Sequence, residues 1–363
     1  MAARDSVLVT GAYGLVGRPL VEKLVADGFK VIATAHRATR PALPAGVDVR
    51  SVDLTKPDQV NALIAEVAPS AIVHLAAVIP PLCYANRALA RAVNVDATAA
   101  LVAAAQAQPS PPRFVHASSM AVYGSRNPHR SDELVTTDTP LLASDVYSCH
   151  KILAENIVRS SDLEWSILRL GGVTTLEPLV DYGNFDTFFF GALLPEDNRC
   201  HSVDVRDVAT AFSAAVATDA VREIFLIAGD DSHMRLQGDM SRDNAEAMGM
   251  SALLLPGRPG NPDSDGDWFP LHWMDTTRSQ QVLSYQRHSP SDASEEIRAR
   301  MGWKRNPLRV IAPAFSGLAR RKGPYYKAPG HYADPWGLIR RRWGDPGPDT
   351  EAPLGPAAGQ VGA

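Results

Sequence analysis

The sequence predicts an α/β protein built on a doubly wound parallel sheet, with a smaller C-terminal lobe. Three observations carry that expectation. Short apolar runs alternate with helix-period segments through the first half, a glycine-rich turn separates the first run from the first helical segment, and the alternation loosens after about residue 170. Parallel neighbours need a crossover between them, so repeated β-α order calls for a sheet covered by helices on both faces.

Taken in order, strands are expected at 6–10, 30–34, 48–52, 71–74, 113–117 and 165–169, with helices between them at 15–26, 57–67, 88–106 and 147–160. The helix at 57 has boundary chemistry of its own, with Thr55 as a candidate N-cap and Pro57 in the first turn. A further strand-helix unit falls at 200–217, a strand at 223–228 and a short helix at 243–248. Residues 256–270 are dense in Gly, Pro and Asp and read as a long loop. This divides the chain into an α/β unit at 1–170, a smaller lobe interleaved with late sheet elements at 171–305, and a basic aromatic tail at 306–363 whose last stretch, from Gly344, is expected to be unstructured.

Composition narrows the function classes. The 363 residues are 45% hydrophobic and 21% charged, ordinary for a globular protein, and the net charge of -4 gives no footprint for nucleic acid. The apolar stretch Val7-Leu8-Val9 is too short for a signal-peptide core, and the alanine-rich stretch near 97–105 is bounded by Asp96 and Gln106, so a cytoplasmic protein is expected. Cys83, Cys149 and Cys200 lack metal-ligand spacing and read as reduced thiols; no metal site is expected.

The turn Thr10-Gly11-Ala12-Tyr13-Gly14-Leu15-Val16-Gly17 sits directly between strand and helix. Gly11 allows the turn, Gly14 the approach of a pyrophosphate to the helix N-terminus, and Gly17 close helix packing, the arrangement of a Rossmann dinucleotide site. An NAD-specific site would place an acid about twenty residues on. Here the second strand runs into Thr34-Ala35-His36-Arg37, with Arg40 behind, so NADP is the preferred cofactor and NAD the alternative, with Arg37 as the candidate 2'-phosphate ligand.

Tyr147 and Lys151 stand four residues apart, on one helical face. A tyrosine titrates near pH ~10, but a cation about 5 Å away at an effective dielectric of roughly 20 favours its phenolate by about 3 kcal/mol. The pair is therefore expected to bring the phenol toward working range.

With Ser118-Ser119-Met120-Ala121-Val122-Tyr123-Gly124 upstream, the sequence resembles the extended short-chain dehydrogenases/reductases, the NAD-dependent epimerase/dehydratase family. The likeness runs from residue 6 to about 230 through TGAYGLVG at 10–17, Asp53-Leu54, His74-Leu75-Ala76-Ala77, NVDAT at 94–98, YSCHK at 147–151, LRLGGV at 168–173 and VRDVA at 205–209. It implies Tyr147 as general acid/base, Lys151 as its charge partner and ribose ligand, Ser119 on the reacting oxygen and Asn94 as the orienting polar group. It also implies Asp53 at the adenine, and a cofactor lining that includes Tyr13, Leu15, Val16, His36, Leu54, Leu75, Ala76 and Ala77.

Two positions depart from the sugar-nucleotide members. Gly172 stands where they carry an asparagine, and Ala35 where NAD-retaining epimerases carry an acid. Both departures lean toward a reductase or dehydrogenase that exchanges its cofactor and acts on a hydroxyl or ketone of a small molecule. An epimerase or dehydratase retaining NAD is the alternative, and a non-catalytic sensor a second. Asp145, His201, Asp204 and Arg206 could line the pocket or cap helices; Phe185, Phe188, Phe189 and Phe190 could line a cleft or fill the lobe core. Segments 273–277 and 280–283 resemble the family's closing segment. The resemblance also implies a homodimer through the helices near 88–106 and after Tyr147. The cations and aromatics from Arg320 to Trp343 could touch a membrane but more often dock on their own domain.

Overall fold

The computed structural model describes residues 6–36, 43–175 and 185–349. Its main sheet has seven parallel strands: β1 (Ser6–Thr10), β2 (Lys30–Ala35), β3 (Asp48–Ser51), β4 (Ala71–His74), β5 (Arg113–Ser119), β6 (Trp165–Leu170) and β9 (Glu223–Ile227). Their order is β3-β2-β1-β4-β5-β6-β9, so the direction of winding reverses between β1 and β4. A ligand crevice lies at such a reversal, at the strands' C-terminal edge.

Both faces of the sheet are buried at its central strands, which explains why β1 and β4 read as continuous apolar runs, while the edge strand β3 is half exposed. Val7, Val9, Val31, Ala33 and Val73 point into one core with Leu20, Val21 and Leu24 of α1 (Gly17–Ala26). Leu8, Ile32 and Ile72 point to the other, against α2 (Pro57–Val67) and α5 (Ala97–Gln106). The short helices α3 (Leu82–Ala85) and α4 (Arg87–Arg91) lead through a π-turn at Ala92–Asp96 into α5. By length and composition the run Arg87–Gln106 could cross a membrane, but half of it is buried in this core. The helix α2 starts without a capping side chain; Thr55 donates its hydroxyl to Asp53 instead of capping.

The lobe carries a three-stranded sheet in the order β10-β8-β7, formed by β7 (Gly172–Thr174), β8 (Arg199–Asp204) and β10 (Met234–Leu236). Near it lie α7 (Phe185–Leu193), α9 (Gln237–Ala247) and α11 (Pro290–Met301), while α8 (Val205–Ala217) packs with α1 on the main sheet and α10 (Thr277–Leu283) packs on α8 and β9. The helix expected at 243–248 is thus longer and starts earlier. The tail forms α12 (Arg305–Lys322) and α13 (Pro335–Trp343), and α13 docks through Trp336 and Trp343 on Phe269, Phe189 and Phe190. The side chains of Phe185 and Phe188 lie outside those described.

Gly344 to Asp349, expected to be unstructured, instead forms a strap with specific partners. Pro346 accepts a backbone hydrogen bond from Val146 at 2.8 Å, and the Asp349 carboxylate meets His150 at 2.9 Å and Arg87 at 2.5 Å. The strap therefore lies across the starts of the two helices through which dimerisation is expected.

Helix α6 (Val146–Arg159) is fixed to the sheet by a buried ion pair. Glu155 accepts from Arg169 at 2.9 and 2.6 Å and from Ser118 at 2.5 Å, while Arg169 also donates to the Tyr123 hydroxyl at 2.6 Å. Both charged side chains are essentially inaccessible. Removing one partner of a fully buried pair strands the other charge, typically at a cost of about 3–5 kcal/mol. Glu155→Gln is expected to lower unfolding free energy by about that amount in urea melts, and Glu155→Gln combined with Arg169→Met to recover part of it. A single-variant loss under about 1 kcal/mol contradicts this placement of the charges.

Candidate active site

The glycine turn follows β1 and packs against the end of β4. Gly11 has φ +70, and a Cβ on it would sit 2.8 Å from the Ala76 nitrogen; one on Gly17 would sit 2.1 Å from the Gly11 carbonyl oxygen. Both positions therefore exclude side chains. The helix α1 begins with no capping side chain and no acid in its first turn, leaving a positive N-terminus toward the crevice. Thr10 ties this turn to β4, its hydroxyl 2.7 Å from His74 and 3.3 Å from the Ala76 amide. Leu75, Ala76 and Ala77 thus flank Gly11. Gly14 and Leu15 are exposed at the rim, and Tyr13 and Val16 pack partly on the core. A glycine cradle at an uncapped helix start fits a dinucleotide pyrophosphate.

At the adenosine end, Ala35 is buried and His36 exposed, while Arg37 and Arg40 lie outside the described residues. The Asp53 carboxylate accepts from the Thr55 hydroxyl at 2.7 Å and its amide at 3.0 Å, which holds it below the usual carboxylate range. Asp53 thereby shapes the turn in which it sits, and Leu54 packs on the core beneath.

The candidate catalytic residues Ser119, Tyr147 and Lys151 meet at the same edge of the sheet. Ser119 ends β5, paired in register with Leu170 at the end of β6, and Tyr147 and Lys151 occupy successive turns of α6. Lys151 donates to the Ala117 carbonyl at 2.7 Å, and its ammonium lies 5.8 Å from the centre of the Tyr147 ring. Burial lowers Lys151 to about 8, opposed by the charge of Glu155 one turn on. Burial raises the Tyr147 phenol, with the Cys83 thiol adding to the rise, and a hydrogen bond with Ser119 pulls it back. The expected lowering of the phenol by its cation is thus not what the geometry gives. Both groups share a poorly solvated site, where desolvation favours the neutral form of each.

Asn94 sits in the π-turn, its amide accepting from the Val78 nitrogen at 2.7 Å and donating to the Val78 oxygen at 2.9 Å. Its contacts hold the chain that leaves β4, close to Leu75–Ala77. Asp145 caps α6 through the Ser148 amide and accepts from the Tyr84 hydroxyl at 2.6 Å. His201 is engaged by Gly229 and Met274, and Asp204 caps α8 and pairs with Arg206. These four candidates are structural in this fold. Sequence reasoning passed over Glu155, although its spacing four residues after Lys151 puts it on the Tyr147 face; it marked Arg169 only as part of the LRLGGV run, and it passed over Tyr84 and the strap, which no local pattern marks.

Beside this edge lies a cavity of about 540 Å³ lined by β7, α7, α9, α11 and the segment 253–255. Val173 and Thr174 begin its wall, three or four residues past Leu170, so roughly 10 Å of extended chain separates them from the partner of Ser119. Leu194, Met240, Met248, Leu254 and Ile297 make it largely apolar, with the Arg235–Asp243 ion pair of 2.6 Å at its polar side. Gly172 abuts Cys200, where a Cβ would sit 2.9 Å from the sulfur, leaving little room there for an asparagine.

Comparison with known proteins gives the same picture. The chain is 28% identical over 179 residues to a dTDP-glucose 4,6-dehydratase of Neisseria gonorrhoeae, covering 43% of this chain and 50% of that one. It is 32% identical over 187 residues to UDP-glucose 4-epimerase 4 of Oryza sativa subsp. japonica (46% and 48%), and 31% identical over 180 residues to D-erythronate dehydrogenase of Cupriavidus necator (46% and 54%). It spans about half the length of these curated relatives. Among solved structures it shares the fold of the Bordetella bronchiseptica enzyme WbmH in complex with NAD+, with TM-score 0.66 and 21% identity over 82% of this chain and 97% of that one. The UDP-glucose 4-epimerase of Thermotoga maritima with UDP-glucose gives 0.64 and 17%, over 84% and 99%. Residues 7–174 match the NAD dependent epimerase/dehydratase family, so that part of the chain is similar to this family, with which the likenesses above agree.

Proposed function

We propose that this protein is an NAD(P)-dependent oxidoreductase that interconverts a hydroxyl and a ketone on a small substrate with a largely apolar body. The observation that carries the reading is the convergence of Ser119, Tyr147 and Lys151 beside the glycine cradle. A bound nicotinamide cofactor supplies the hydride acceptor or donor. The turn at Gly11, Gly14 and Gly17, with Leu75, Ala76 and Ala77, would hold it, and Lys151 would reach its ribose. Ser119 orients the reacting oxygen, and Tyr147 gives or takes its proton. Lys151, charged below about pH 8, favours the phenolate as it forms. The cavity beyond Val173 supports an apolar substrate body, as does Gly172 packed on Cys200.

A nucleotide-sugar epimerase or dehydratase that retains NAD is the second reading, favoured by the names of the dehydratase and epimerase relatives. Supplying NADP+ or NAD+ with panels of apolar secondary alcohols, sterols and sugar nucleotides separates the two. Net formation of free reduced cofactor supports the first, and turnover of a sugar nucleotide without it supports the second. A sensor has no need for all three reacting groups.

Removing the proton donor should cost about 10²–10⁴-fold in kcat for Tyr147→Phe, with cofactor affinity retained. In the reductive direction Lys151 must be charged, so kcat/KM is expected to fall tenfold per pH unit above about 8. Lys151→Arg, which does not titrate there, should flatten that limb; an unchanged limb assigns it to another group. Arg37→Ala should weaken NADPH about 10–100-fold in fluorescence titration, from the loss of a charge-assisted bond, and leave NADH unaffected. Equal NADPH affinity in the variant overturns the NADP preference.

A further inference from the structure

The tail helix α12 has two apolar stripes, and only one of them is covered. Leu308, Ala312, Ser316 and Ala319 face the domain, where the helix packs on the turn Ser251–Leu253 and Ala319 lines the 540 Å³ cavity. On its outer side Val310, Ile311, Phe315 and Leu318 recur at helical spacing and are exposed, Val310 by 79%. Trp303, just before the helix, is 76% exposed. With Tyr326 and Tyr332, this short region holds seven of the fourteen exposed large hydrophobic side chains among the described residues. Such concentration marks an interaction surface, since scattered exposed apolar residues are normal and clustered ones are not.

Charge identifies the occupant. Between residues 302 and 333 there are seven cations, Lys304, Arg305, Arg309, Arg320, Arg321, Lys322 and Lys327, and no acid, in a chain whose net charge is -4. The cations gather toward the two ends of an 18-residue helix, about 27 Å long at 1.5 Å per residue, with the aliphatic stripe between them. A helix with one apolar face, basic ends and tryptophan or tyrosine at its margins has the chemistry of a segment lying in the plane of a bilayer, apolar side chains in the acyl boundary and cations among anionic headgroups. The aromatic residues of α13, by contrast, are consumed by contacts with Phe189, Phe190 and Phe269, so the lipid-facing part of the tail is α12 and not the Trp336–Trp343 segment. The geometry points to α12 as an interfacial helix that seats the protein peripherally on an anionic membrane surface.

The test uses the full chain in flotation with vesicles of phosphatidylcholine alone and with phosphatidylserine added. Co-flotation is expected only with phosphatidylserine and is expected to weaken as salt is raised. Ile311→Asp combined with Phe315→Asp should cut the bound fraction at least tenfold, as should Arg320→Glu combined with Arg321→Glu, with activity in solution unchanged in both. All four side chains are exposed, and near-ultraviolet circular dichroism verifies that each variant keeps its fold. Three results overturn the proposal: no flotation with either vesicle, flotation that neither variant reduces, or a dimer by light scattering that the Asp variant dissolves without any vesicle binding, which makes the stripe a contact between copies.

Discussion

The buried pair between Glu155 and Arg169 is the constraint on which the arrangement of the candidate site depends. It joins the middle of α6 to β6, and through Ser118 to the penultimate residue of β5, so the helix carrying Tyr147 and Lys151 cannot slide relative to the strand carrying Ser119. Its charge acts as well as its geometry: Glu155 opposes the desolvation that lowers Lys151. A low-dielectric site strengthens such coupling at the distance of one helical turn, where a surface carboxylate would be screened. The neutral surroundings on the other side fit the same logic. His74 and His116 are fully buried and driven toward the uncharged form by burial, with the charge of Lys151 adding to the effect, so Lys151 has no second cation beside it there.

The first six strands of the main sheet and the glycine turn were legible because they depend on local signals. Strands buried on both faces, such as β1 and β4, read as apolar runs, and the turn at Gly11 admits no side chain. Ser119, Tyr147 and Lys151 were legible for a similar reason, since one sits at a strand end and the others one turn apart on a helix. The protonation balance was not, because it depends on how many distant side chains exclude water from Tyr147. Asp145 shows the same limit: a carboxylate just before a helix reads equally as cap or pocket group, and only the Ser148 amide and the Tyr84 hydroxyl decide it. In the tail, docking of the α13 aromatics on their own domain was anticipated, but the strap after Gly344 was not, because its partners Arg87 and His150 lie far away in the chain.

In the C-terminal lobe, packing beside β7 and α7 shapes the cavity. Cys200 on β8 fills the space beside Gly172, and the cavity wall begins one residue later at Val173. Helix α7 serves two neighbours at once, giving Gly191 and Ala192 to that cavity and Phe189 and Phe190 to the aromatic cluster against which Tyr147 partly packs. Small residues on one side of the helix and large ones on the other leave room for a ligand while excluding water near the phenol.

The strap gives the far end of the chain a hand on the first turn of α6. Its carbonyl at Pro346 satisfies the otherwise open amide of Val146, and Asp349 neutralises a patch formed by Arg87, Arg91 and His150. An expression form cut back to the family-like region, or a protease that trims the tail, would expose that amide and those cations just ahead of Tyr147. The packed fold thus extends at least to Asp349, 175 residues beyond the end of the family match at 174.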